Sequence, residues 1–125
     1  MGKMLVKDGV DFGSTLAPAG ARILDLLKRL APTYDFDITI TSARDGVHSG
    51  PTDPHHSGEA FDIRSNGLSA LQIARLLHDV QAGLYSSDPR CFYAFYEAAG
   101  TPNAHLHIQR RAGRTYTVLD YLNDK

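Results

Sequence analysis

Two stretches of this chain, EAFDIR (59–64) and AHLHIQR (104–110), alternate apolar and polar residues. Neighbouring side chains on a strand point to opposite faces, so each stretch fits a sheet that is apolar on one side and polar on the other. Phe61 and Ile63 then share one face, with Ala60 and Asp62 on the reverse. Leu106 and Ile108 share a face, with His105, His107 and Gln109 opposite. If the apolar members pack beneath helices, one carboxylate and two imidazoles project together from the open side of the sheet.

The rest of the chain supplies such helices. From Leu16 the residues Ile23, Leu24, Leu27, Leu30 and Ala31 follow one helical face; Pro18 suits the first turn, Ser14 or Thr15 the cap, and Pro32 ends the run. YDFDITITS (34–42) alternates as a strand does. Residues 69–84 form a second amphipathic helix, with Ser69 and Gln72 at capping-box spacing and Leu76, Leu77, Val80 and Leu84 on the apolar stripe. CFYAFYE (91–97) is a further strand, and a turn at 98–103 separates it from AHLHIQR. Residues 44–58, rich in glycine, proline and histidine, read as a long loop of the kind that usually carries function. Residues 1–15 read as a loosely structured lead-in, and the tail TYTVLDYL (115–122) fits either a strand or a short helix. The expected fold is α+β: one domain over residues 1–125, with a small, mostly antiparallel sheet and two helices on one of its faces.

Composition excludes several classes of function. Thirteen basic and fourteen acidic side chains give a formal net charge of -1, so no electrostatic footprint for nucleic acid or an anionic membrane exists. The single cysteine, Cys91, rules out an intramolecular disulfide and a thiolate zinc cluster, and its place at the start of an apolar strand fits a small buried residue. No run approaches the roughly 20 apolar residues of a membrane span. The first residues lack the apolar core of a signal peptide, so cytoplasmic synthesis is expected, with release to the cell wall in the case of phage origin. The glycines at 46 and 50 lack the residues that complete a phosphate loop, and Ser57 beside His56 implies no nucleophilic pair.

The polar face instead suggests a metal. Hydrolytic zinc sites commonly take three ligands from His, Asp and Glu and leave a fourth position open. His55 lies at the end of the long loop, seven residues before Asp62. With Asp62 and one member of the His105-x-His107 pair it makes up such a set. The other member, about 7 Å along the strand, stays within reach of the site. His48 and His78 read as solvated or loop-anchoring histidines, and Glu59 and Arg64 as strand-edge charges. The aromatic cluster at Phe92, Tyr93, Phe95 and Tyr96 reads as core plus sheet face, with Tyr93 near the groove.

His55-x-x-Gly58-x-Ala60-x-Asp62, followed by His105-x-His107, resembles the motif of the zinc D-Ala-D-Ala metallopeptidases of the LAS type. That group includes phage L-Ala-D-Glu endopeptidases and the amino-terminal domain of hedgehog proteins. The resemblance spans roughly residues 16–110. It implies a hedgehog/DD-peptidase-like fold and one zinc ion held by His55, Asp62 and His107. His56 would then be solvated or outside the ligand set. It further implies that Arg44 binds a substrate carboxylate or carbonyl and steadies an oxyanion.

Two positions depart from the family. Asp53 stands where a serine is common. No carboxylate occupies positions 101–104, where many members carry the general base. The candidates for that role are His105 and Glu97. The resemblance implies a monomeric zinc peptidase that hydrolyses peptidoglycan stem peptides, as a D,D-carboxypeptidase or an endopeptidase. The missing acid admits a second reading, a zinc-stabilised peptide- or protein-binding module without turnover. A metal-free fold with merely polar surface histidines is the third.

Overall fold

The computed structural model describes residues 1–10, 16–43, 59–85, 91–98, 100–111 and 113–124. His48, His55, His56, Gly58, Arg44 and Asp53 lie outside them, as do Ser14, Thr15 and Ser57. Five strands and three helices are present among the described residues: β1 (Met4–Val6), α1 (Pro18–Leu30), β2 (Ile38–Ser42), β3 (Ala60–Arg64), α2 (Ala70–Tyr85), β4 (Phe92–Glu97), β5 (His105–Arg110) and α3 (Val118–Asp124). One mixed sheet runs in the order β1-β2-β3-β5-β4. Only β1 and β2 are parallel; the other pairings are antiparallel, as expected of a small α+β domain.

Pro18 opens α1, where its missing N–H and fixed φ cost nothing, and Lys28 and Arg29 in the last turn suit the negative end of the dipole. Its N-cap is Ala17, which offers no side-chain cap, so the helix rests on packing rather than on a capping hydroxyl. Ile23, Leu26 and Leu27 are buried, while Leu24 and Leu30 are only partly so. In α2 the reciprocal capping box is present: Gln72 donates its backbone N–H to Ser69 Oγ at 3.1 Å, and Ser69 donates its own to Gln72 Oε1 at 2.9 Å. Leu76, Val80 and Leu84 are buried. The two helices approach closely at Gly83, where a Cβ would stand 2.7 Å from Leu26 Cδ1. The Gly83 carbonyl accepts a hydrogen bond from Arg22 Nη2 at 2.8 Å.

Phe61, Ile63, Leu106, Ile108, Phe92 and Ala94 join Ile38 and Ile40 and the buried leucines of α1 and α2 in one hydrophobic cluster. Cross-strand pairs Phe61–Ile108 and Ile63–Leu106 sit within it. The alternation then turns Asp62, His105 and His107 away from this core, as the sequence pattern requires. Cys91 is buried, as expected.

Two expectations are corrected. Residues 1–15 are not simply a lead-in, because Met4–Val6 adds a parallel edge strand to β2. Gly2 anchors it: its N–H donates to the Tyr34 carbonyl at 2.8 Å, and a Cβ there would collide with the Phe36 carbonyl. Glu59 is not a strand-edge charge. It is buried and gripped by two guanidinium N–H groups of Arg110, one of them Nη2 at 3.0 Å, fastening the start of β3 to the end of β5. His78 is strongly exposed on α2, as expected of a solvated histidine. The tail resolves as helix α3. Thr117 and Asp120 cap it reciprocally, the Asp120 N–H reaching Thr117 Oγ1 at 3.2 Å and Asp120 Oδ2 accepting the Thr117 N–H at 2.8 Å.

Candidate metal centre

β3 and β5 pair so that Asp62 stands directly across from His107. β4 and β5 pair so that Glu97 stands directly across from His105. Three neighbouring strands thus deliver Asp62, Glu97, His105 and His107 to one spot on the polar face, with one donor atom from each lying within 4.8 Å of the others. His107 Nδ1 is 2.7 Å from Asp62 Oδ1, and His105 Nε2 is 3.1 Å from Glu97 Oε2. The crossing distances are 3.5 Å for His105 to Asp62 and 3.9 Å for His107 to Glu97. Ligand atoms about 2.0–2.1 Å from a tetrahedral zinc are about 3.3 Å apart. The observed separations bracket that value.

Hydrogen bonds on the outer side of each ring decide which nitrogens face inward. His105 Nδ1 lies 2.6 Å from the Asn103 carbonyl, which can only accept, so Nδ1 carries the proton. Gln109 donates its amide to the Arg110 carbonyl at 3.0 Å, which turns its Oε1 toward His107 Nε2 at 2.6 Å. Nε2 of His107 therefore carries a proton too. The inward atoms, His105 Nε2 and His107 Nδ1, are left facing two carboxylate oxygens. Such a set is satisfied either by an extra proton on a ring or by a cation placed between them. These four residues could hold a metal ion, and the donor set of imidazole and carboxylate suits zinc among other divalent ions.

Exposure is graded across the cluster. The His107 side chain is 10% exposed, Asp62 18%, His105 25% and Glu97 46%, so only the last reaches freely into solvent. Burial works against the His107 imidazolium. The hydrogen bonds to Asp62 and Gln109, and then the charges of Asp62 and Glu97, outweigh it and raise the ring's pKa above the ordinary 6.5. Phe95, the partner of His107 across β4–β5, packs its ring 5.4 Å from the imidazole, and Tyr93 stacks on Phe95. Tyr93 thus lies beside the site, 6.2 Å from the His107 ring. Beyond Asp62 and His105 the face opens into a cleft of about 430 Å³.

Of the residues the sequence singled out, the structure brings together Asp62, His105, His107 and Glu97. His55 and Arg44 fall outside the described residues. Ala60 is fully buried opposite Gln109. The fixing roles of Gln109 and the Asn103 carbonyl went unread. Gln109 was visible as the third member of the His-x-His-x-Gln face, but its amide orientation depends on the Arg110 carbonyl. Comparison with known proteins yields no match to a family model, a curated protein or a solved structure.

Replacing Gln109 by Leu should weaken zinc binding about 10–100-fold by freeing the His107 ring, while Gln109→Glu keeps an acceptor and most of the affinity. Competition against a chromophoric chelator measures both. The raised His107 pKa also gives a stability trend with a definite sign. A histidine whose folded value exceeds its unfolded value stabilises fully below the unfolded value and loses that contribution as pH rises through the folded one. The urea midpoint of metal-free protein should therefore fall as pH rises above about 6.5, and saturating zinc, which needs the neutral ring, should reverse the trend.

Proposed function

We propose that the chain is a zinc-dependent peptidase acting on peptidoglycan stem peptides, with a hedgehog/DD-peptidase-like fold whose two long helices cover one face of the sheet. The observation that carries the reading is the meeting of Glu97 with the Asp62–His107 pair across the β4–β5 hairpin. It provides a carboxylate beside the metal donors that positions 101–104 do not. The motif resemblance adds His55 as the third ligand with Asp62 and His107, and Arg44 as a contact to substrate. On that reading the working partner is a wall peptide, and the protein acts as a monomer, made in the cytoplasm and delivered to the wall.

A zinc ion at this place would supply Lewis acidity to the scissile carbonyl and to the attacking water. Glu97, the most exposed member of the cluster, takes the proton from that water and passes it to the leaving amine. His105, held through Nδ1 by the Asn103 carbonyl, sets Nε2 3.1 Å from Glu97 Oε2, where it can accept a hydrogen bond from the carboxyl once Glu97 has taken the water's proton. Tyr93 and Phe95 wall the site on the β4 side.

A second reading rests on the same geometry. If all four donors of Asp62, Glu97, His105 and His107 bind one ion, the site is closed, as in structural zinc centres, and the domain is a binding module without turnover. Glu97→Gln separates the two. A base at this position predicts a 10²–10⁴-fold loss of rate, with zinc retained near one per chain. A fourth ligand predicts loss of zinc affinity instead. The activity itself is read by digesting muropeptides with zinc-loaded protein and weighing the products. Stem-peptide mass losses support the peptidase, and none across a broad panel sinks it.

A further inference from the structure

The cleft beside the metal donors is chemically one-sided. Asp62 and His105 form its inner wall, and the rest of the lining includes Lys7, Arg64, Asn66 and Asn103. Lys7 is held in place by its backbone N–H, which donates to the Ile40 carbonyl at 2.9 Å, while its side chain is exposed. Arg64 ends β3 directly opposite His105 and, two residues from Asp62, projects from the same face. Neither Lys7 nor Arg64 forms an ion pair among the described residues, although six other cationic or imidazole side chains there do. The Asn66 and Asn103 side-chain amides likewise make no hydrogen bond among the described residues. Among the described residues the cleft therefore offers two unpaired cations and two free amides next to a carboxylate–imidazole cluster. Its lining among the described residues includes no aromatic ring to attract an apolar ligand.

From this we infer that Arg64 and Lys7 form an anion-reading subsite, which selects short peptides carrying a free carboxylate close to the bond held at the metal. The inference rests on the peptidase reading and assigns it a specificity determinant. A guanidinium meets a carboxylate through two parallel N–H bonds, whereas an ammonium acts as a point charge. Arg64 is therefore the main reader, and Lys7 adds attraction without geometry. The amides of Asn66 and Asn103 suit the peptide backbone that leads from the carboxylate toward the metal donors.

The test uses full-length zinc-loaded protein and two probes: the pentapeptide L-Ala-γ-D-Glu-L-Lys-D-Ala-D-Ala, and the same peptide with every carboxylate converted to an amide. NMR titration at low salt gives the dissociation constants, and the same spectra report any cleavage. The free acid is expected to bind about tenfold tighter than the amide, as a charge-assisted pair requires. Arg64→Gln should remove most of that difference and Lys7→Gln a smaller part, both leaving the amide's affinity unchanged. Equal binding of the two probes, binding of neither, or equal weakening of both by Arg64→Gln overturns the inference. Cleavage without discrimination overturns it while leaving the peptidase reading intact. Discrimination without cleavage supports the subsite and counts against peptidase activity.

Discussion

The register between β3 and β5 governs both the core and the site. Phe61–Ile108 and Ile63–Leu106 meet on the apolar face, and in the same ladder Asp62 meets His107 on the other. All four apolar residues are almost completely buried. A slip of one residue in β5 would turn its leucine and isoleucine toward the polar side and drive His105 and His107 into the core. Burying those apolar side chains, at about 25 cal/mol per Å² of surface removed from water, is thus what holds the imidazoles in place. The Glu59–Arg110 pair adds a lock at the end of the same ladder, which a slipped register would leave as a buried, uncompensated charge.

The polar side of that ladder is arranged to lack protons. Asn103 and Gln109 place acceptors on the outer nitrogens of the two histidines, so the inner nitrogens face carboxylate oxygens with lone pairs. Unfilled, this arrangement is relieved by protonating His107, which is why its affinity for protons is raised despite burial. A divalent cation relieves it better, because one ion meets the carboxylate charges of β3 and β4 and the ring lone pairs of β5 together. Phe95 and, stacked on it, Tyr93 flank the cluster on one side. The other flank opens to the cleft, where ligands can enter.

Asp62, His105 and His107 were legible as one polar face because a strand's period of two needs no knowledge of tertiary structure. The second helix and its cap were equally plain from Ser69, Gln72 and the leucine spacing. Glu97 was harder, since its place at the site depends on how CFYAFYE pairs with HLHIQR across a seven-residue connection. Pairing the two strands outward from that turn sets Glu97 against His105 and Phe95 against His107. β1 was missed because three residues carry too little alternation, and its position depends on a close approach at Gly2 that no pattern encodes. The tail did carry a sign, Thr117-x-x-Asp120, which is the spacing of a capping box. The Glu59–Arg110 pair was illegible because the two residues are far apart in sequence and meet only through the β3–β5 ladder.

Metal content measured by elemental analysis, on the purified protein beside its His107→Ala variant, tests the central claim most directly. The account predicts close to one zinc per chain in the parent and little in the variant, because His107 is the most deeply held of the four donors. Absence of metal from both proteins, even after zinc is supplied, would contradict it and leave the convergence of these side chains without a metal-binding role.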